Sequence, residues 1–381
     1  MVEIKQVHRR RQYEPEQIVE ILARKGIDAS EGISKLPSYV VKGYARINKP
    51  ISFELGYAVG LFLIYPYHAS MRENQAFQSV FGQDVELAKI QSSLTLAALH
   101  NRALYYRKGS HEQLAGIVAA VMDYDIGNAS HGFLTVGHRV ADNCGMGGDN
   151  MKRFNDNLQT FHISSASAIL AASSGLKVIK HGSHGPKSNT QRTGSSDFVE
   201  FIGIDTASGP EAAKLYLERS NFGYTESIDT SYKSVHLVTQ TFSHLSSMND
   251  IIGPMTNPIN PAELTVKLVG TNQIVPPMVV ARAYALLNKK EVTKVEKGLF
   301  VRGHVVKGNT HRTIDEISIL NAGTEAVLLF GEEVSQFRIT YDTFGFRAPA
   351  KFKDLIPEEN NAVDKIDYTR KVLEGDAPEG E

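Results

Sequence analysis

The chain has 381 residues, 42% of them hydrophobic and 22% charged, with a formal net charge of −1. That length suits two or three cores, and the composition excludes global disorder. Balanced charge gives no whole-protein field for nucleic acid or an anionic membrane, and a single cysteine, Cys144, excludes an internal disulfide framework and a cysteine-rich zinc site.

The N-terminus, MVEIKQVHRRRQYEPEQ, is basic without an apolar stretch behind it, so it does not read as a secretory signal. Residues 16–25 carry apolar side chains at helical spacing up to Gly26. Residues 87–104 and 112–122 repeat the pattern, with Ser110 as the N-cap of the latter. The most apolar window, 57–64, is far short of the ~20 residues of a spanning helix, and a cytoplasmic protein is expected. From about residue 134, glycine loops, short β-branched runs and helices alternate, as in a βαβ layer. Residues 166–174 read as a helix ended by Gly175, and 176–179 as a short strand leading into Lys180-His181-Gly182. Residues 198–202, 211–219 and 278–288 read as helices, 298–306 and 326–330 as strands. The stretch Gly253-Pro254-Met255-Thr256-Asn257-Pro258 and its continuation to Pro261 reads as a rigid connector without regular structure, because prolines remove donors and fix φ. The tail from 357 is acidic, with a helical stretch at 368–373.

Four pieces carry chemistry. In Asp142-Asn143-Cys144-Gly145-Met146-Gly147-Gly148-Asp149, the glycines let successive N–H groups face one point, an anion-binding nest, although such a loop is equally a tight turn without ligand. Ser164 and Ser165 precede a helix, where hydroxyls and free amides suit a phosphate or simply cap the helix. Lys180 ends an apolar strand, the place where open α/β sheets put ligands, or a solvated terminus. His181 and His184 have a metal-like spacing with no further ligand in view. Thr313-Ile314-Asp315-Glu316 offers two carboxylates for Mg²⁺, but T-x-x-E is also a capping box, which the local sequence favours.

The order of these pieces, followed by Gly194-Ser195-Ser196-Asp197 and GPMTNP before the Asp-Glu pair, resembles the anthranilate phosphoribosyltransferase family of glycosyltransferases. That family carries GTGGD, FNIST, KHG, GSAD, LGPLTNP and LDE in the same order. The resemblance runs from about Gly109 to about Gly345, some two-thirds of the chain. It implies an α/β fold: a small N-terminal helical domain (1–115, with a return excursion near 238–260) plus a larger α/β domain (116–381) whose central, mostly parallel sheet is flanked by helices. It further implies a homodimer and a Mg²⁺-dependent reaction on phosphoribosyl pyrophosphate (PRPP). Carried over, Gly145, Gly147, Gly148 and Asp149 would cradle the pyrophosphate, and Ser164 would help ligate one Mg²⁺. Ser165 and Lys180 would meet phosphates, with His181, Gly182 and Ser183 lining the substrate, and Asp315 and Glu316 would hold a second Mg²⁺. Lys180, Asp315 and Glu316 are the expected catalytic groups.

Departures gather on the acceptor side. The family's KHGNR is Lys180-His181-Gly182-Ser183-His184 here, and the position of its acceptor-carboxylate arginine falls on Gln240, which cannot give an arginine's bidentate grip. The expected acceptor is therefore a small aromatic or heterocyclic nitrogen compound other than anthranilate. The alternatives are a true anthranilate enzyme using His184 or Arg192 as the cation, a nucleoside phosphorylase, or a non-catalytic paralogue binding nucleic acid through Arg9-Arg10-Arg11 and the Lys187/Arg192 loop. Nucleic-acid and membrane partners are not expected.

Overall fold

The computed structural model describes residues 11–24, 52–127, 132–147, 160–185, 193–226, 234, 237, 247–307, 309–351 and 362–376. The chain divides into two compact units. One comprises Met1–Thr135, Thr230–Pro261 and Arg282–Lys294; the other comprises Val136–Asp229, Ala262–Ala281 and Val295–Glu381.

The first unit is helical in its described residues, with helices Pro15–Arg24, Phe53–Ile64, Gln75–Phe81, Val85–Leu99 and Ser110–Ala120 among them. The most apolar helix, Phe53–Ile64, is buried along almost its whole length. It crosses Ser110–Ala120 at Gly56, Gly60 and Gly116. A Cβ on Gly116 would stand 2.1 Å from the Phe53 carbonyl oxygen, so the backbones touch where side chains are missing. Among the described residues no helix is long and apolar enough to cross a membrane. The helix expected over 87–104 stops at Leu99, and Asn101 caps a separate short turn, Arg102–Tyr105. Ser110 is not the N-cap expected. Gly109, at φ 81°, takes that place, and Ser110 opens the helix with its hydroxyl on the Tyr105 carbonyl. The Gly-Pro-Met part of the proline-rich stretch closes a helix, Asn249–Met255. Pro254 falls one residue before its end, so the i→i−4 donor it lacks is missing just where the helix stops.

The second unit is built on one eight-stranded sheet, ordered β3-β2-β1-β4-β5-β7-β8 with β6 also on β5. The strands are β1 Val140–Gly145, β2 Val178–Gly182, β3 Phe222–Glu226, β4 Leu264–Gly270, β5 Lys297–Lys307, β6 Thr310–Ile314, β7 Thr324–Phe330 and β8 Glu333–Ile339. Strands β3, β2, β1, β4 and β5 run parallel, while β6, β7 and β8 join antiparallel. This is the mostly parallel α/β sheet expected. Ala141, Val178, Phe222 and Tyr224 on one sheet face pack with Ala168, Ala172, Phe198 and Val199 of the covering helices Ile163–Ser173 and Ser195–Phe201. Lys180-His181-Gly182 forms the end of β2 rather than following it.

Candidate active site

Side chains alternate between faces along a strand, and here the alternation sorts the polar residues of the glycine-loop strand into two groups. Asn143 faces the helix Ile163–Ser173 and donates to the Ser164 carbonyl (2.8 Å) and the Ser167 hydroxyl (2.9 Å). On the neighbouring strand Lys180, only 1% exposed, donates from Nζ to the Asn143 carbonyl (2.9 Å) and the Ser164 hydroxyl (3.2 Å). Two of the ammonium's three protons are thereby used among the described residues. Ser165 is wholly buried, and its hydroxyl has no hydrogen-bond partner among the described residues; Asn143 Oδ1 has none either. A buried polar atom left without a partner is costly.

Neither Ser164 nor Ser165 caps its helix. His162 holds the N-cap position, without a side-chain capping bond, and both serines lie in the first turn. The His162 ring stacks on Phe198 (5.5 Å) and meets the Thr193 hydroxyl at 3.0 Å. Burial, with Lys365 behind it, pushes its pKa down to about 4, so it is neutral near pH 7.

The Asp-Glu pair is not a capping box. Thr313 and Ile314 belong to β6, which ends there, and the two acids lie on the turn that follows. Asp315 accepts a hydrogen bond from the Gly147 amide (2.6 Å). A Cβ on Gly145 would stand 2.2 Å from Asp315 Oδ2, and one on Gly270 1.5 Å from the Asp315 carbonyl oxygen. Gly145 and Gly270 are register partners on β1 and β4. Two adjacent missing side chains therefore seat the acid against the glycine turn. Burial and the Asp315 charge push the Glu316 carboxyl well above its usual range, against the pull of Lys180. Two adjacent, partly buried carboxylates are oxygen donors of the kind that fit a hard divalent cation.

The family model described as "Glycosyl transferase family, a/b domain" matches residues 137–380. The chain belongs to that family. Among relatives, the anthranilate phosphoribosyltransferase of Bacillus licheniformis is 29% identical over 267 residues, 68% of each chain. That of Colwellia psychrerythraea is 27% identical over 303 residues, 78% of this chain and 71% of its own. The solved structure of anthranilate phosphoribosyltransferase from Thermus thermophilus shares the fold, with a TM-score of 0.60 at 19% identity over 90% of this chain and 83% of that one. So does the Saccharomyces cerevisiae enzyme in complex with PRPP and Mg, at 0.59 and 18% over 90% and 80%. By membership and kinship this glycosyl transferase is an enzyme of the phosphoribosyltransferase class.

Of the residues singled out in the sequence of this glycosyl transferase, Gly145, Gly147, Ser164, Ser165, Lys180, Asp315 and Glu316 come together at the carboxyl ends of β1 and β2 and beside them. Gly148, Asp149 and Gln240 lie outside the described residues, as do Arg9, Arg10, Lys187 and Arg192. Gly182 ends β2 on the same side, where a Cβ would stand 1.9 Å from the Ser195 hydroxyl, and the Ser183 carbonyl accepts from the Ser196 amide. His181 goes to the opposite face. It is buried with its Nδ1 3.1 Å from Asp142 Oδ2, and the same carboxylate takes the Lys267 ammonium, its register partner on β4. His184 does not join it at a metal. The His184 ring bonds Glu200 (2.9 Å) through one nitrogen and Glu226 (3.2 Å) through the other. Burial alone would lower the His184 pKa, but the bond to Glu200 and the charges of Glu226, Glu200 and Asp197 outweigh it and raise it. The ring that could have stood in for an acceptor-gripping arginine is thus already held by acids. Asn143 and Gly270 escaped the sequence reading. Asn143 sits at odd parity with Asp142 in the glycine-loop strand, a signal that alternation alone could have supplied.

Proposed function

We propose that the chain transfers the 5-phosphoribosyl group of PRPP, with Mg²⁺, to a small aromatic or heterocyclic nitrogen acceptor. The observation that carries this reading is the meeting of Lys180, Ser164 and the Asp315–Glu316 pair around the Gly145–Gly147 turn. Gly145, Gly147, Gly148 and Asp149 would cradle the diphosphate, and Ser165 and Lys180 would meet phosphate oxygens. Ser164, Asp315 and Glu316 would hold Mg²⁺, which when bound supplies positive charge to the departing diphosphate. The acceptor nitrogen forms the bond to C1′ while the C1′–O electron pair leaves with the diphosphate, and the surplus proton on nitrogen passes to solvent. Preorganised charge that meets the leaving group is the main catalytic device. Cytoplasmic chemistry goes with this reading.

Binding of PRPP with Mg²⁺ at a hundred times its Kd is expected to stabilise the fold by about 2.7 kcal/mol, read as a rise in melting temperature. Asp315→Asn should abolish the shift. A shift of equal size with and without Mg²⁺, or none at saturation, would sink the proposal.

A homodimer is part of the same reading. Leu87, Ile90 and Leu94 are 44%, 59% and 60% exposed, and their spacing on the helix Val85–Leu99 puts them on one face. Such a stripe suits a second copy of the same helix. Ile90→Asp with Leu94→Asp should turn a sedimenting dimer into a monomer; a monomeric wild type would refute the assembly.

A further inference from the structure

Strands β5 and β6 form an antiparallel pair whose register sets His304 opposite Thr313 and Val306 opposite His311. Residues opposite one another share a face, and so do residues two apart along a strand. His304, Thr313 and His311 therefore stand on one face of the pair. The two imidazoles meet there, with ring centroids 5.0 Å apart, planes 19° apart, and His304 Nδ1 2.9 Å from His311 Nε2. The Thr313 hydroxyl has no hydrogen-bond partner among the described residues.

The main chain at His304 is held on both sides. Its amide donates to the Gly323 carbonyl (2.9 Å), and its carbonyl accepts from the Ser318 hydroxyl (3.2 Å). His311 is exposed, so a small turn of its ring meets little resistance. Burial, then the charges of Arg302 and His311, push the His304 pKa down against the pull of Glu325. His304 is thus neutral near pH 7 and keeps a lone pair on one ring nitrogen. Glu325 itself accepts from the Arg302 guanidinium through two nitrogens, so ring nitrogens rather than a carboxylate define the chemistry of this face.

We infer that His304 and His311 form a two-nitrogen site for a divalent transition ion that favours nitrogen donors at right angles, Ni²⁺ or Cu²⁺. Two nitrogens about 2.0–2.1 Å from one ion are about 2.9 Å apart at a right angle and about 3.3 Å apart at the tetrahedral angle. The separation here matches the right angle. The ion takes the place of the proton shared between the rings, which moves to the outer nitrogen of its own ring. Both lone pairs then meet the metal, and no net proton is released. Among the described residues no group of three or more His, Cys, Asp or Glu is placed to hold an ion. Water therefore fills the remaining positions, with the Thr313 hydroxyl as the candidate third donor. Mg²⁺ prefers oxygen ligands, which separates this site from the Asp315–Glu316 pair. A bound ion would clasp β5 to β6 just before the turn that carries those acids. Gly303, beside His304, already packs there: a Cβ on it would stand 2.5 Å from the Glu316 carbonyl oxygen.

The test is calorimetric titration of Ni²⁺ into the untagged full chain after washing with a chelator. One saturable equivalent is expected, with Kd on the order of 10⁻⁵ M, unmoved by about a hundredfold excess of Mg²⁺. His304→Ala and His311→Ala should each weaken it at least about tenfold, because one nitrogen alone cannot chelate. The His311 change is at an exposed position, and a second readout needs no variant. One equivalent of Cu²⁺ on the wild-type chain should give an electron paramagnetic resonance spectrum coupled to two imidazole nitrogens. No saturable Ni²⁺ equivalent, displacement by Mg²⁺, affinity within about threefold of wild type in His311→Ala, or Cu²⁺ coupled to a single nitrogen would each overturn the inference.

Discussion

Lys180→Met is expected to lower kcat/KM for pyrophosphate release by about 10²–10³, the usual consequence of removing one preorganised group that meets developing charge. Methionine keeps the length and apolar stem of the buried side chain and removes only the ammonium. That ammonium ties the Asn143 carbonyl to the Ser164 hydroxyl and pulls on the Glu316 carboxyl. The leaving diphosphate would lose its one buried side-chain cation among the described residues of the site. The loss should fall on kcat as well as KM, because charge builds on the diphosphate as the bond breaks. Thermal unfolding separates this from collapse of the fold. Activity within about threefold of wild type would remove Lys180 from the chemistry.

The second large effect is on stability. Asp142→Asn is expected to destabilise the α/β unit by about 3–5 kcal/mol, because it strands the Lys267 ammonium without its partner in a region closed to water. Both side chains are fully buried. Burial works against the Asp142 charge, yet Lys267 and His181 outweigh it and hold the carboxyl far below its usual range. A depressed folded pKa contributes stability that is complete above the unfolded value. This contribution therefore stands at neutral pH and is lost as pH falls below the ordinary carboxylate range towards the folded value. Asp142→Asn combined with Lys267→Met should recover most of the loss, since no bare charge is left inside. Denaturant unfolding measures all three proteins, and a double variant no more stable than the single one would show that packing, not charge, is at stake.

The sequence made parts of this site legible because their chemistry is local. A glycine loop, two serines at a helix start and a lysine at a strand end each have a signature within a few residues, and their order supplied the rest. Thr313 to Glu316 misled at short range because T-x-x-E carries a helix-start signal, while the antiparallel pairing of β6 with β5 extends the chain through Ile314. Tertiary pairing overrode the local pattern. The buried Asp142–Lys267 pair could not be read at all. Its members lie 125 positions apart, and a charged residue in a strand gives no hint of a partner across the sheet.

The bare backbone beneath Asp315 makes the two sides of the parallel strand row unequal in their freedom to change. At Gly270 and Gly145 any added atom meets the main chain or carboxyl of Asp315, so no gradual series of substitutions leads away from the present shape. At β3 the contacts are made by side chains, Glu226, Tyr224 and Ser196, rather than by the main chain. The seat of Asp315 is thereby frozen, while the surroundings of β3 remain open to drift.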